Sequence, residues 1–202
     1  MTNYGLVIDT GRCMGCRSCV ASCMVENYYQ RDNPWNYVLE HEVGTYPNVS
    51  RTFTPMNCMH CDNPACKKAC DNIGVGAITK NASGVVLIDY EKCIGCKYCI
   101  AACPYGAPQY IDELQNLYPE GTTPTEETAD SKKHALHRKK ANTVEKCTLC
   151  WHKIEQAVAE GKVPGSDQES TPSCINVCPV RARHSGDLDD ENSAASQQSG
   201  EG

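Results

Sequence analysis

Apolar runs are short along this chain, and two of them are near copies. Leu6-Val7-Ile8-Asp9 and Val86-Leu87-Ile88-Asp89 each predict a brief β-strand that ends at an aspartate. Each leads into a turn with a charged residue and then into closely spaced cysteines. A helical period appears at Trp151, Ile154 and Val158, followed by Gly161, and predicts a short helix over 151–161 with its Trp in the core. The segment between Ile111 and Glu145 is polar, and its basic stretch from Lys132 to Lys140 predicts a solvated surface insertion. Beyond Gly186 the residues are acidic, then small and polar, which predicts a mobile tail. Nowhere do about eighteen apolar residues follow one another, so no membrane-spanning helix is predicted.

Cysteine changes this picture of a lean, polar chain. The 202 residues include 16 cysteines, in four groups: Cys13, Cys16, Cys19 and Cys23; Cys58, Cys61, Cys66 and Cys70; Cys93, Cys96, Cys99 and Cys103; and Cys147, Cys150, Cys174 and Cys178. The first and third read C-x2-C-x2-C-x3-C, and the third runs into Pro104. That spacing is the bacterial ferredoxin signature, in which three near thiolates hold one [4Fe-4S] cluster and the fourth reaches across to a second. The other two groups widen an internal gap but keep the opening x2 and the closing x3. Four sets of four thiolates suit four [4Fe-4S] clusters with no cysteine left over, and make every one of these cysteines a candidate metal and cofactor ligand.

All four cysteines of the first group recur in the third at an offset of 80 residues, together with the strand before them and with Gly15 and Gly95. The closing motifs also pair: Cys103-Pro-Tyr-Gly-Ala107 with Cys178-Pro-Val-Arg-Ala182. Two fused two-cluster ferredoxin modules are therefore expected, an α+β fold with loop insertions. Under the crossing rule, an inner module (58–110) places Cys58, Cys61, Cys66 and Cys103 on one cluster and Cys93, Cys96, Cys99 and Cys70 on another. An outer module (1–57 with 141–186) places Cys13, Cys16, Cys19 and Cys178 together, and Cys147, Cys150, Cys174 and Cys23 together. Residues 111–140 then form a polar insertion and 187–202 a flexible tail. A sequential pairing of the first two groups stays open, although it leaves the repeat unexplained.

Two other uses of cysteine compete. A disulfide scaffold needs an oxidising compartment, and the opening MTNYGLVIDTGRC shows no charged stretch followed by an apolar one of the secretory kind. Structural zinc pairs separated C-x2-C knuckles, whereas here a third cysteine follows at x2 in two groups. Composition agrees with a metal-stapled protein: mean hydropathy is -0.50, with one Phe and two Trp for the core. The formal charge is -6, and sixteen thiolates around four cores of about +2 each bring the loaded chain to roughly −14, which excludes nucleic acid as a partner.

The segments GLVIDTGRCMGCRSCVASC, CMHCDNPACKKAC, GVVLIDYEKCIGCKYCIAACPYGAPQY, EKCTLCWHKI and CINVCPVRA carry a closer resemblance. The chain resembles the iron–sulfur electron-transfer (beta) subunit of the dimethyl sulfoxide reductase superfamily of molybdopterin oxidoreductases. The resemblance spans residues 4–186 apart from 111–145, and the family's ligands carry over at all of the cysteines named. It implies a double-ferredoxin fold with four [4Fe-4S] clusters, a molybdopterin catalytic subunit as partner, and a membrane quinone-linked anchor or soluble donor. It also implies no substrate site of the chain's own, and a place peripheral to the cytoplasmic membrane within a complex. The first alternative is a polyferredoxin, or the iron–sulfur subunit of a hydrogenase or formate dehydrogenase. One from a different class is a zinc-stapled interaction module. One departure stands out: Asp71 follows Cys70 where many relatives have Pro, and Ala77 lies seven residues after the cysteine instead of four.

Arg12, Arg17, Lys67, Lys68, Lys92, Lys97 and Lys146 flank ligands and could raise cluster potentials, with an ordinary solvated face as the plainer expectation for each. The histidines, at 41, 60, 134, 137, 152 and 184, form no H-E-x-x-H pair. Packed or exposed imidazoles are expected.

Overall fold

The computed structural model describes residues 2–114, 134–165 and 167–199. Its strands pair into four antiparallel two-stranded sheets: β1 (Tyr4–Ile8) with β8 (Arg183–Asp187), β2 (Asn36–Thr45) with β3 (Asn48–Asn57), β4 (Ile78–Lys80) with β5 (Val86–Ile88), and β6 (Gln109–Ile111) with β7 (Thr143–Glu145). Six α-helices complete the described residues: α1 (Ser18–Asn27), α2 (Ala65–Asn72), α3 (Tyr98–Ala102), α4 (Trp151–Ala159), α5 (Ser173–Asn176) and α6 (Ala194–Ser199). The architecture is a small mixture of helix and strand, and its elements are short because the cysteine loops between them take up much of the chain.

The internal repeat is also a repeat of backbone geometry. Strands β1 and β5 occupy the two predicted apolar runs. The aspartates that follow them close equivalent turns: Asp9 Oδ1 accepts from the Gly11 and Arg12 amides, and Asp89 Oδ1 from the Glu91 amide. The Asp9 amide donates to the Ala182 carbonyl at 2.8 Å and the Asp89 amide to the Ala77 carbonyl at 2.9 Å. Each aspartate thus ties the start of one cysteine run to the end of another.

The core is divided among small clusters. Ile78, Val86, Ile88, Tyr90 and Val144 pack with Cys70 and Cys99, and Tyr29 and Trp35 pack with Cys23. A third cluster joins Val85, Leu149 and Ile154, with Trp151 against it as expected. The cysteines are part of the apolar interior, so folding and ligand placement share the same contacts.

Three regions differ from the sequence expectations. The β2–β3 ladder is fully paired over ten residues a strand, from Asn36↔Asn57 to Thr45↔Asn48, yet its outer half is exposed on both faces. With neither face buried it leaves no apolar alternation to read, and cross-strand ion pairs from Arg51 to Glu40 and Glu42 at 3.0 and 2.7 Å lace it instead. The basic stretch ending at Lys140 is not wholly a solvated loop. Leu136, His137 and Lys139 are buried, because Lys139 is drawn inward by Glu145; residues 115–133 of the expected insertion lie outside the described residues. Residues 187–199 are tied down where a mobile tail was expected. Asp187 accepts from the Asn3 amide at 2.8 Å, and α6 packs against β1 and β8 with Ala195 fully buried.

Candidate iron–sulfur centres

Each opening C-x2-C loop has the same local shape. The residue just before the second cysteine has a positive φ in all four groups: Gly15 at 73°, His60 at 45°, Gly95 at 67° and Leu149 at 56°. A left-handed residue there curls the loop around a centre, and glycine takes that conformation at least cost. Arg17 and Lys97 repeat the motif one step later, at φ 60° and 65°, where α1 and α3 begin. The helices then carry the next ligands inward: Cys19 and Cys23 on α1, Cys66 and Cys70 on α2, Cys99 on α3 and Cys174 on α5.

The thiols influence one another in sets. Burial, then Cys147, Cys150 and Cys174, pushes the Cys23 thiol far up. Burial raises Cys99 to about 12, with Cys93, Cys96, Cys66 and Cys70 adding to it. Burial also raises Cys66, which feels Cys58 and Cys103. Cys23 thus feels thiols of the fourth group, Cys66 feels Cys103 of the third, and Cys99 feels Cys66 and Cys70 of the second. The Asp9–Ala182 hydrogen bond and the packing of α1 on α5 bring the Cys178 segment to the first cysteine run.

Nitrogen donors point at the sulfurs. The Ala182 amide donates to Cys178 Sγ at 3.2 Å, the Ala77 amide to Cys70 Sγ at 3.3 Å and the Leu149 amide to Cys147 Sγ at 3.4 Å. The longer loop after Cys70 therefore delivers its alanine amide as the shorter one after Cys178 does. Gly74 and Gly76, both at positive φ, take up the extra residues.

A hollow lined by Cys70, Cys93, Cys96 and Cys99 is walled by Ile78, Ile88 and Val144. Four thiols around an apolar hollow fit a cubane, which spreads its ligands over four irons. Among the described residues, no three His, Cys, Asp or Glu side chains gather around the point that a single ion would occupy.

Of the flanking cations named from sequence, Lys146 stands apart. It is 1% exposed, and Nζ donates to the Val86 carbonyl and, at 3.0 Å, to the Cys147 carbonyl. Arg12, Lys67 and Lys92 instead pair with surface carboxylates. His60 is half-buried and its Nδ1 accepts from the Val86 amide, 3.0 Å away; desolvation of the ring, with Lys146 and Lys80 nearby, holds its pKa well below the ordinary histidine value. Sequence reasoning did not single out Asn27, Asn36 and Arg183, which are buried beside cysteines of the first and fourth groups. Nothing in their spacing marks them.

Residues 49–118 and 85–179 each match a family profile described as a 4Fe-4S dicluster domain. The two stretches share the third cysteine group. Among curated proteins, the chain is 33% identical to the arsenate respiratory reductase iron–sulfur subunit of a Shewanella species, covering 96% of this chain and 85% of that one. This chain therefore belongs to the iron–sulfur subunits of the dimethyl sulfoxide reductase superfamily. It is 32% identical to one chain of the anaerobic dimethyl sulfoxide reductase of Escherichia coli, over 94% of this chain and 76% of that one. For a subunit of the selenate reductase of Mesobacillus selenatarsenatis the identity is 33%, over 95% and 63%. As an iron–sulfur subunit of this superfamily, the protein carries four [4Fe-4S] clusters and serves electron transfer, not substrate chemistry. No helix of the described residues is long and apolar enough to cross a membrane.

Proposed function

We propose that the chain is a linear electron relay whose sites are held, in order, by four sets of cysteines. Cys13, Cys16, Cys19 and Cys178 form the first, and Cys23, Cys147, Cys150 and Cys174 the second. Cys58, Cys61, Cys66 and Cys103 form the third, and Cys70, Cys93, Cys96 and Cys99 the fourth. The order is supported by one observation, the electrostatic influence of thiols in one set on thiols in the next. Cys19 acts on Cys174, Cys58 on Cys147, and Cys66 on Cys99. Cys16 and Cys96, the two exposed cysteines, fall in the terminal sets, beside exposed Met14 and exposed Ile94 and Tyr98. The middle sets meet across the buried Lys146.

The clusters, when bound, store and pass one electron each. The protein's part is to fix their spacing, keep water from the inner pair and direct N–H groups at sulfur. In this reading 1–57 with 141–186 makes the outer module and 58–110 the inner one, and the segments around them are insertions. One end faces a molybdopterin-containing catalytic subunit, as for relatives named for dimethyl sulfoxide, selenate and arsenate reduction. The other faces a membrane quinone-linked anchor or a soluble donor, so the chain sits peripherally on a membrane complex.

Metal analysis of anaerobically purified protein, with accompanying subunits retained, tests this. About sixteen iron and sixteen labile sulfide per chain, with molybdenum or tungsten in the complex, is expected. About four zinc without sulfide overturns the relay. Cys150→Ser should stop quinol-linked turnover and spare turnover with an artificial donor at the catalytic subunit. Unchanged quinol-linked turnover with that cluster gone refutes the linear order.

A further inference from the structure

Arg183 opens β8 and is 2% exposed, an unusual place for a guanidinium, which remains charged at any ordinary pH. Nη2 donates to Asn36 Oδ1 at 2.8 Å. Nη1 is buried and has no hydrogen-bond partner among the described residues. No carboxylate of the described residues pairs with this side chain either. A buried cationic donor left without an acceptor is costly in a folded protein and calls for an explanation.

Cysteine sulfur supplies one. The Arg183 side chain reaches the Cys174 thiol, and Asn36, which accepts from Arg183, donates from Nδ2 to the Cys19 carbonyl at 3.0 Å. The same guanidinium acts on Cys23. Asn27, 1% exposed, ends α1 in the same neighbourhood. Its Nδ2 lies 3.5 Å from Cys23 Sγ and 3.8 Å from Cys150 Sγ, and it also donates to the Cys23 carbonyl. A buried charge and an amide donor thus converge on one cysteine set. At Cys70 and Cys178 the donors are main-chain amides. Lys146, beside Cys66 and Cys147, already donates to two carbonyls.

We propose that Arg183 and Asn27 set the reduction potential of the cluster held by Cys23, Cys147, Cys150 and Cys174 and raise it. Arriving from the adjacent site, one electron adds one negative charge to this cluster, and it leaves to the next site with no proton exchanged. A fixed positive charge and sulfur-directed N–H groups in a poorly screened interior stabilise the reduced form over the oxidised one. Both residues act through the cluster as positioning and electrostatic groups. The inference rests on the ligand pairing proposed above.

Redox titration monitored by electron paramagnetic resonance, on the anaerobically purified complex, tests it. Arg183→Gln should lower one midpoint potential of four and leave the other three in place. Arg183→Lys, which keeps the charge, should restore part of the shift, and Asn27→Leu should lower the same midpoint by less. The affected signal should be the one that Cys150→Ser alters. Midpoints that stay put, rise, or fall together in variants that keep full iron refute the role of Arg183 and Asn27. Should Arg183→Gln lose iron, Arg183→Lys and Asn27→Leu decide the question by the same criteria. Wild-type protein with fewer than four clusters, or a shift at a signal insensitive to Cys150→Ser, refutes the ligand pairing instead.

Discussion

Lys139 Nζ stands 2.8 Å from a Glu145 carboxylate oxygen, with side chains 1% and 0% exposed. The ammonium also lies 4.6 Å from the Trp35 ring centroid, so the pair fastens the segment before β7 to the core around Cys23. Removing one member leaves the other charge buried and alone. Lys139→Met should therefore cost about 3–5 kcal/mol, while the double change Lys139→Met with Glu145→Leu should recover most of it. Denaturant unfolding of the cluster-loaded protein measures both.

The ligand pairing has its own signature. Cys103→Ser should alter the same paramagnetic signal as Cys61→Ser, and Cys70→Ser the same signal as Cys96→Ser. If Cys103→Ser instead matches Cys96→Ser, each group holds its own cluster and the crossing is wrong.

Two glycines separate backbone strain from crowding. Gly95 has φ +67°, and a Cβ there would lie 2.1 Å from the Asn142 carbonyl oxygen, whereas at Gly74, φ +78°, it would meet nothing within 4 Å. Gly74→Ala should cost about 1–2 kcal/mol for the left-handed backbone alone and keep full iron content. Gly95→Ala should cost more and lose iron from the Cys93, Cys96 and Cys99 loop. Iron analysis and unfolding midpoints on both variants make the comparison.

Acid should weaken the fold before any carboxylate is titrated. Burial first, then the neighbouring His152, His134 and Lys139, lowers His137 to about 3. The unfolded chain takes up that proton near pH 6.5, so the stabilisation is complete above that pH and is lost as pH falls from about 6.5 toward 3. The slope approaches about 1.4 kcal/mol per pH unit. Glu26, lowered to about 2 chiefly by its hydrogen bond with His152, adds a second loss, from about pH 4.3 downward. Unfolding midpoints between pH 7.5 and 5 should decline, and His137→Gln should flatten that decline.

The cysteine groups, the repeat, β1, β5 and α4 were legible because each rests on a local rule: ligand spacing, a short apolar run, or a helical period. Lys139 and Lys146 were not. A lysine becomes an interior residue only through a partner brought by the fold, Glu145 for one and the carbonyls of Val86 and Cys147 for the other, and charge pattern alone describes a surface. Asn27 and Arg183 escaped notice for the same reason, since 156 positions separate two side chains that flank one cysteine set. The β2–β3 ladder escaped for the opposite reason: its outer half buries neither face, so that stretch carries no apolar rhythm.

Pairing of β1 with β8 joins Tyr4 to Asp187, so residues through 187 must leave the ribosome before β1 has its strand partner. The inner cysteines at 58–103 can be gathered while synthesis continues, but Cys13, Cys16 and Cys19 must wait for Cys178, and Cys23 for Cys174. Metal loading on the proposed pairing therefore has a built-in sequence, inner centres before outer ones. A chain that stops early, before Cys174, carries two exposed and unfinished ligand sets, which gives a maturation system a way to distinguish it from a finished chain.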